Sequence, residues 1–373
     1  MSLYLCVDCG GSKTSAVICA ASGKIVGRAL GGPSNFAYLG PTAFIEAVKT
    51  AVSNALKTCV DPPSVDPVVL PPPEPLFASA WFGVSGVDSP SDVATVTPMI
   101  CELLHIEPAK LSVGNDTHLL AAPLRMHPDI QHAVATIAGT GSISVSFRAG
   151  EGGKLQELGR VGGWGWILGD EGGGFHVGRE AVRQLLLETD KDSMADIAAP
   201  SVELEKKTLK SRVLERFGIN HLLEILAPIH LPDPAPSSPP LSGVASLPQY
   251  QTVAREKRLS QLSPLVFQAA FEDEDPLALN VLRTCSGMLA DQIIVLLRSE
   301  GAVEGQFAKN AVKASESVLC FGGSLVGIEK YREMVLDSLA RKGHVFRYVE
   351  FVDDAAAVGA AGLAAAAAES KTK

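Results

Sequence analysis

The sequence predicts an α/β protein whose two halves share one order of elements. Each half opens with short apolar strands joined by a glycine-rich turn, at residues 8–11 in the first half and 139–142 in the second. Each half then continues into alternating helical and strand patterns, which are typical of an α/β fold. The two halves resemble each other in their turns and in the order of their elements but not in their amino acids, so the repeat is structural rather than a sequence repeat. We expect two domains, 1–117 and 118–373.

The first half is predicted to contain five strands, because apolar runs alternate there with turns. These runs are residues 3–8, 14–20, 24–30, 77–84 and 111–113. The first three are expected to form an antiparallel meander. Helical spacing of apolar residues predicts helices at 44–56, after Pro41, and at 94–104, and a third is expected to begin near Thr117. The many prolines of residues 61–76 predict a loop.

The second half repeats this pattern. Its predicted strands are residues 133–138, 143–147, 154–158, 318–321 and 345–351. Helices are expected at 175–187, in further segments up to about residue 228, at 328–339 and in the alanine-rich C-terminal stretch. Residues 232–250 are rich in proline and serine and almost uncharged, which predicts a flexible insertion.

Composition and charge exclude several classes of protein. With 46% hydrophobic and 20% charged residues among 373, the chain can bury a large core. Its net charge of −9 argues against a broad contact with nucleic acid. The first residues lack a basic leader, so we expect no signal peptide, and the alanine-rich stretch at 355–368 is too short to span a membrane.

The seven cysteines indicate reduced thiols and a cytoplasmic protein. Their number is odd, they are scattered, and a chain of this length needs no disulfides. Cys6 and Cys9 form a lone C-x-x-C with no second pair to complete a zinc site. We therefore interpret them as buried strand cysteines.

The two glycine turns are the first candidates for chemistry, because unobstructed backbone N–H groups can bind phosphate oxygens. The hydroxyl and ammonium groups beside them belong to Ser12, Lys13, Thr14, Thr140 and Ser142. Asp8 precedes the first turn and is a candidate ligand of Mg²⁺. One glycine turn alone is an ordinary hairpin, but two turns followed by hydroxyl residues favour a clamp on a triphosphate.

A third glycine cluster covers residues 162–174 and contains one acidic pair, Asp170 and Glu171. A helix is expected to start directly after it, so that its free N–H groups and both carboxylates face the same space. Together with Trp164, such groups suit a polyhydroxylated ligand such as a sugar. The alternative is a flexible loop with an acidic helix cap, which the tryptophan disfavours.

Asp116 is the fourth candidate, because it follows a predicted buried strand at the edge where α/β sheets bind ligands. A carboxylate there can orient and deprotonate a substrate hydroxyl in phosphoryl transfer. The alternative is a helix N-cap, since Asp-Thr before a helix is a common cap. Position alone does not separate the two interpretations.

Five motifs in order resemble those of the N-acetylglucosamine kinases, within the BadF/BadG/BcrA/BcrD ATPase group of the actin, sugar kinase and heat-shock chaperone superfamily. They are V-D-C-G-G-S-K-T at 7–14, N-D at 115–116, I-A-G-T-G-S at 137–142, G-G-W-G-W-I-L-G-D-E-G at 162–172 and C-F-G-G-S at 320–324. The resemblance spans nearly the whole chain, and the fourth motif is the most specific.

The resemblance implies two actin-like (ribonuclease H-like) domains with mixed sheets flanked by helices, and an interdomain cleft that holds ATP. The residues it implies for the nucleotide are Gly10, Gly11, Ser12, Lys13, Thr14, Gly139, Thr140, Gly141, Ser142, Gly322 and Gly323. Those it implies for the sugar are Asn35, Asp116, Gly163, Trp164, Gly165 and Asp170. Asp116 would be the base that activates the sugar 6-hydroxyl. Taken alone, Asn35 would be interpreted as a turn residue.

The sequence departs from the family pattern at several positions. At the first turn Cys9 replaces a glycine and Ser12 replaces a threonine, which keeps the hydroxyl. Gly173 stands where a serine is frequent. Residues 61–76 and 232–250 look specific to this chain.

The leading hypothesis is an ATP-dependent kinase that gives N-acetylglucosamine 6-phosphate and ADP, with Mg²⁺. Glucosamine, N-acetylmannosamine and glucose stay open as substrates, and a homodimer stays open as the assembly. One rival is an ATPase that activates a radical enzyme through an iron–sulfur cluster, but no cysteine occurs between Cys101 and Cys285 to ligate a cluster. The other rival is a non-catalytic sugar-sensing regulator, which the presence of both Asp8 and Asp116 disfavours.

Overall fold

The structure is a computed structural model, and it describes residues 2–11, 13–60, 62–150, 155–194, 207–234, 248–303, 305 and 307–369. Ser12 lies outside the described residues. So does most of the predicted insertion at 232–250, of which only 232–234 and 248–250 are described.

The first half of the chain forms a five-stranded mixed sheet. Its strands are β1 (Leu3–Cys9), β2 (Thr14–Ala20), β3 (Ile25–Gly31), β4 (Phe77–Val84) and β5 (Leu111–Gly114). They lie in the order β3-β2-β1-β4-β5. The first three strands are antiparallel, which confirms the predicted meander, and β4 and β5 run parallel to β1. The carboxyl ends of β1, β4 and β5 therefore meet at one edge of this sheet.

The second half repeats the topology. Its strands are β6 (His132–Ala138), β7 (Ser142–Ala149), β8 (Leu155–Gly162), β9 (Leu297–Arg298), β10 (Val312–Lys313), β11 (Ser317–Gly322) and β12 (Tyr348–Phe351). The large sheet has the order β12-β11-β6-β7-β8, again with an antiparallel meander and two parallel strands, while β9 and β10 pair separately. The predicted structural repeat and the α/β class are confirmed.

Helices cover the sheets of both halves. The helices of the first half are α1 (Phe36–Ala55), α2 (Pro90–Leu104) and α3 (Thr117–Leu120). Those of the second half are α4 (Gly174–Ser193), α5 (Leu209–Phe217), α6 (Leu226–His230), α7 (Gln249–Thr252), α8 (Arg255–Ser260), α9 (Ser263–Phe271), α10 (Pro276–Ile294), α11 (Glu329–Arg341) and α12 (Ala355–Glu369). Within the described ranges, no helix combines the length and hydrophobicity that a bilayer crossing requires.

Helix α1 begins eight residues before its predicted start, with Asn35 as its N-cap. The difference arises at Gly40, where φ is 70° and ψ is 173°, because this non-helical residue and the following Pro41 interrupt the apolar spacing. The main apolar face, which includes Phe44 and Val48, lies where the spacing predicts it.

Helix α12 joins the two halves, because it follows β12 but packs on the first sheet. Ala356 and Ala360 lie in one buried cluster with Cys6 and Trp81. A Cβ on Gly359 would lie 2.4 Å from Cys6 Sγ, so only small residues allow this approach. Cys6 and Cys9 are both buried on β1, as predicted.

Candidate functional site

The first glycine turn is held by backbone hydrogen bonds. Gly10 N donates to Lys13 O at 3.0 Å, and Ser34 N donates to Gly10 O at 2.9 Å. The second bond ties the turn to the connection between β3 and α1. Gly11 and Lys13 are exposed, so they are accessible to a ligand at this edge of the sheet.

Thr14 faces the interior rather than the turn's open side. It is fully buried, and its Oγ1 lies 2.6 Å from both Gly32 O and Ser34 Oγ. Its hydroxyl therefore fixes the segment that leads to Asn35.

Asn35 is buried and caps α1. Its Oδ1 accepts from Tyr38 N at 3.1 Å, and its Nδ2 donates to Ser85 Oγ at 3.0 Å. Gly86, at φ 82°, makes room for it, because a Cβ there would lie 2.8 Å from Asn35 Oδ1. The side chain is therefore fixed in place at the edge where β1, β4 and β5 end.

Two partly buried carboxylates, Asp8 and Asp116, share this edge. Burial and, to a smaller extent, the negative charge of Asp116 raise the pKa of Asp8 to about 6, while Lys13 opposes both effects. Burial also raises the pKa of Asp116, which the Thr117 amide and the Ser85 hydroxyl partly offset. Ser85 was missed in the sequence, although it directly follows β4 at the same edge of the sheet.

Asp116 stands at the N-cap position of α3. Among the described residues, its carboxylate makes no capping bond to α3. The neighbouring Asn115 does so instead, because its Oδ1 accepts from Thr117 N at 3.0 Å while its Nδ2 donates to Asp88 at 2.8 Å. The Asp116 carboxylate is therefore not occupied as a helix cap.

Replacing Asp8 by asparagine is expected to stabilise the protein at pH 8. The pKa of this carboxyl is about 6 in the folded protein and near 4 in the unfolded chain. Its contribution to stability is therefore fully present below about pH 4 and is lost as the pH rises through about 6. The Asp8→Asn variant should therefore gain up to about 3 kcal/mol at pH 8 and clearly less at pH 5. Urea unfolding at both pH values measures this, with Asp88→Asn, an exposed carboxylate nearby, as the control. A variant less stable than wild type at pH 8 would contradict it.

The second glycine turn is tied to the start of α4. Gly174 N donates to Gly139 O at 2.8 Å, and Phe175 N donates to Thr140 O at 2.9 Å. These N–H groups of α4 are thus already engaged, and the prediction that they are free for a ligand is wrong. Thr140 itself is exposed, whereas the Ser142 hydroxyl donates to Glu171 O at 2.7 Å.

Asp170 lies directly against this turn. Its Oδ1 accepts from Ser142 N at 3.1 Å, and it adopts φ 65°, a conformation that only a few non-glycine residues show. A Cβ on Gly141 would lie 2.5 Å from Asp170 Oδ1, so the glycine is required for this approach. Burial raises the pKa of Asp170, and the charges of Glu256 and Glu171 add to the effect.

Glu171 points away from Asp170, contrary to the prediction that the two carboxylates face the same space. It contacts His176 Nε2 at 3.0 Å and accepts from Arg179 Nη2 at 2.9 Å. His176 Nδ1 accepts from Gly172 N at 2.9 Å, so its proton is on Nε2 and the ring is neutral, and burial lowers its pKa. Glu171 therefore stabilises the start of α4.

A cavity of about 360 Å³ brings together seven of the predicted site residues. They are Gly139, Thr140, Gly141, Ser142, Gly163, Gly165 and Asp170. Gly163 and Gly165 have φ of 70° and 79°, which favours glycine. Trp164 does not line this cavity, and its side chain is 64% exposed.

The end of β11 lies beside the second turn. Gly323, at φ 101°, approaches Ala138 so closely that a Cβ would lie 2.6 Å from Ala138 O. Gly322 is buried, and a Cβ there would lie 2.7 Å from a methyl group of Leu120 on α3. Gly323 is thus the more accessible of the two.

A neighbouring cavity of about 410 Å³ has walls from both halves, but Asp116 is not among the residues that line it. Asn115 and Thr117, which flank Asp116, line it from the first half, and Ile143 and Arg160 line it from the second. Ile143 also lines the first cavity. The two cavities therefore share one wall residue, and the neighbours of Asp116 lie in the wall of the second cavity.

Comparison with known proteins agrees with this geometry. The sequence model of the BadF/BadG/BcrA/BcrD ATPase family matches residues 5–365. An N-acetyl-D-glucosamine kinase of Dictyostelium discoideum is 30% identical over 213 residues, which are 55% of this chain and 62% of that protein. An N-acetylmuramic acid/N-acetylglucosamine kinase of Clostridium acetobutylicum is 32% identical over 111 residues, 30% of this chain and 33% of that protein. The chain thus spans less than two thirds of either relative.

Solved structures share the fold. A candidate N-acetylglucosamine kinase from Porphyromonas gingivalis superposes with a TM-score of 0.57 at 17% identity, covering 98% of this chain and 99% of that one. One from Chromobacterium violaceum gives 0.56 at 20% identity, with the same coverage of 98% and 99%. The likeness covers both halves and confirms the expected two-sheet architecture.

Proposed function

Because the chain belongs to the BadF/BadG/BcrA/BcrD ATPase family, we propose that it is an ATP-dependent sugar kinase. The proposed reaction transfers the γ-phosphoryl group of ATP to the 6-hydroxyl of N-acetyl-D-glucosamine, giving the 6-phosphate and ADP. One observation carries the proposal: the phosphate-suited backbone turn at 139–142 and the Asp170 carboxylate line the same cavity.

In this proposal the nucleotide binds mainly through backbone groups. The glycine turns at 10–11 and 139–141 offer N–H groups to the phosphates, and the exposed Lys13 and Thr140 add an ammonium and a hydroxyl group. Ser12 is assigned to the same phosphates. Gly322 and Gly323 are assigned to the adenosine side, where the open position of Gly323 supports the assignment. Thr14 and Ser142 act through backbone groups, since their hydroxyls are bonded within the protein.

The sugar is proposed to bind between the halves. Asp170 and the backbone at Gly163 and Gly165 would hold its hydroxyls from the second half, and Asn35 from the first. Trp164, which is exposed beside these glycines, would cover one face of the ring if the loop moves inward on binding. Buried, fixed carboxylate and amide groups are the kind that select a polyhydroxylated ligand.

Asp116 is proposed as the general base. It accepts the proton of the 6-hydroxyl as that oxygen attacks the γ-phosphorus, and the bond from the γ-phosphorus to the bridging oxygen of ADP breaks. Its raised pKa makes it a stronger base than an exposed carboxylate, which suits this task near neutral pH.

Asp8 is proposed to hold Mg²⁺. Its partly buried carboxylate interacts with the negative charge of Asp116, and a bound cation would relieve this repulsion. When bound, Mg²⁺ would neutralise charge on the phosphates.

An ADP-release assay with a panel of sugars tests the proposal. We expect turnover with N-acetylglucosamine to exceed that with glucosamine, N-acetylmannosamine, glucose and N-acetylmuramic acid. Turnover with another sugar of the panel instead would support the proposed kinase activity but assign it a different substrate. Sugar binding without any turnover would support the sugar-sensing regulator instead. We place the enzyme in the cytoplasm, and sedimentation equilibrium distinguishes a monomer from a homodimer.

A further inference from the structure

A separate polar cavity of about 280 Å³ lies at the opposite end of the second sheet from the glycine turn. His132, which begins β6, and Arg148, which pairs with it on β7, are in its wall. The other end of β6 leads into Gly139, roughly 20 Å away along a seven-residue strand. The cavity is therefore distinct from the proposed kinase site.

Three cations line this cavity, and none has a carboxylate partner. Arg148, Arg298 and Lys309 take part in no salt bridge within the described part of the chain, and no carboxylate lines the cavity there. Such a group is unusual in a protein with a net charge of −9. Elsewhere most arginines are paired, as Arg212 is with Asp273 at 2.6 Å.

The contacts of these cations leave hydrogen-bonding capacity unused. Arg148 Nη2 donates to Gln156 Oε1 at 2.7 Å, which is a neutral partner. The Arg298 guanidinium lies 4.5 Å from the centre of the Phe307 ring, and its Nε is buried without a hydrogen-bond partner among the described residues. A buried, unpartnered donor of a charged group is costly unless a ligand satisfies it.

The neighbouring titratable groups do not compensate the positive charge. Burial lowers the pKa of His132, Glu316 opposes this, and Arg148 and Arg298 add to it, so His132 stays neutral near pH 7. Glu316 itself pairs with Lys313 at 3.3 Å and does not line the cavity. The charge of the cavity wall is therefore positive.

We propose that this cavity is a binding site for the phosphate group of a small phosphorylated molecule. Planar guanidinium groups bind phosphate through two parallel hydrogen bonds, and Lys309 adds a third positive charge. The side-chain amides of Gln156 and Asn310, which also line the cavity, would face the organic part. Free inorganic phosphate offers the cavity the same chemical group as a phosphorylated molecule does, so the experiment has to distinguish these two ligands.

Titration calorimetry at low ionic strength tests this site with two probes, inorganic phosphate and glucose 6-phosphate. No nucleotide is added, because its own phosphate groups would compete for this site, and binding of a probe to the glycine turns is recognised because it persists in the double variant. We expect both probes to bind the wild type, glucose 6-phosphate more tightly, and the Arg298→Gln/Lys309→Gln double variant to bind each at least about tenfold more weakly. The Lys49→Gln variant, which changes a surface cation elsewhere, should bind as the wild type does.

Circular dichroism establishes that the double variant is folded before binding is compared. Absence of binding to the wild type, or equal binding by the wild type and the double variant, would overturn the site. Equal affinity for both probes would identify free phosphate as the ligand rather than a phosphorylated metabolite. Because binding rather than turnover is measured, failure of this site is distinguishable from failure of the proposed kinase activity.

Discussion

Replacing Asp116 by asparagine is expected to lower kcat by about 10²–10⁴-fold while leaving nucleotide and sugar binding within about threefold of wild type. Asparagine keeps the size and most hydrogen bonds of the carboxyl but accepts no proton at neutral pH. Asp116 is partly buried, makes no capping bond in the described structure, and has a raised pKa, so proton transfer is the property that the substitution removes. Steady-state kinetics give kcat, and calorimetry gives both dissociation constants.

The structural repeat supplies a matched control. Asp353 stands two residues after β12, as Asp116 stands two residues after β5, but Asp353 is exposed. The Asp353→Asn variant should therefore turn over as the wild type does. If Asp116→Asn keeps its kcat, Asp116 is not the base. If both variants lose sugar binding, the effect is on folding of the interdomain region.

The parts of the fold that the sequence predicts well depend on local signals. The strand β2 at Thr14–Ala20 and the strand β4 at Phe77–Val84 are largely apolar and bounded by turn residues, so their ends are encoded within a few residues. The glycine turns are equally local, because each depends on residues that are adjacent in the chain.

The contacts that decide side-chain roles are distant in sequence. Asn35 bonds to Ser85, fifty residues away, and Ser142 N bonds to Asp170, twenty-eight residues away. Glu171 was expected beside Asp170, but a partner one helical turn later, His176, draws it back onto α4. The side chains of adjacent residues in a loop need not face the same side, and the sequence alone does not show in which direction each of them points.

Helix α10 shows a different failure. No element was predicted for its residues, although Val281, Cys285, Leu289 and Ile293 recur every four residues and are all buried. This spacing is the signal that finds such a helix. Polar residues are interspersed among the apolar ones and obscure this spacing. The adjoining region also lacks glycine turns like those that mark the start of each half.

Replacing Gly178 by alanine is expected to destabilise the protein by about 3 kcal/mol or more. Gly178 lies on α4, and a Cβ there would lie 1.9 Å from the Leu259 carbonyl oxygen of α8. Because the obstacle is backbone, α8 has to move away from α4. The preceding residue, Arg258, is buried and donates to Tyr250 O at 2.7 Å and Pro232 O at 2.7 Å, so the displacement also strains these bonds.

Gly287 provides the matched control, because it lies in the middle of α10 and a Cβ there meets only Ser338 Oγ at 4.0 Å. Gly287→Ala should leave stability unchanged or raise it by up to about 1 kcal/mol, since alanine is the better helix former. Urea unfolding of both variants measures the difference. Equal stability of the two would mean that α4 and α8 are further apart than the structure places them. The approach that orients Glu256 toward Asp170 would then have to be revised as well.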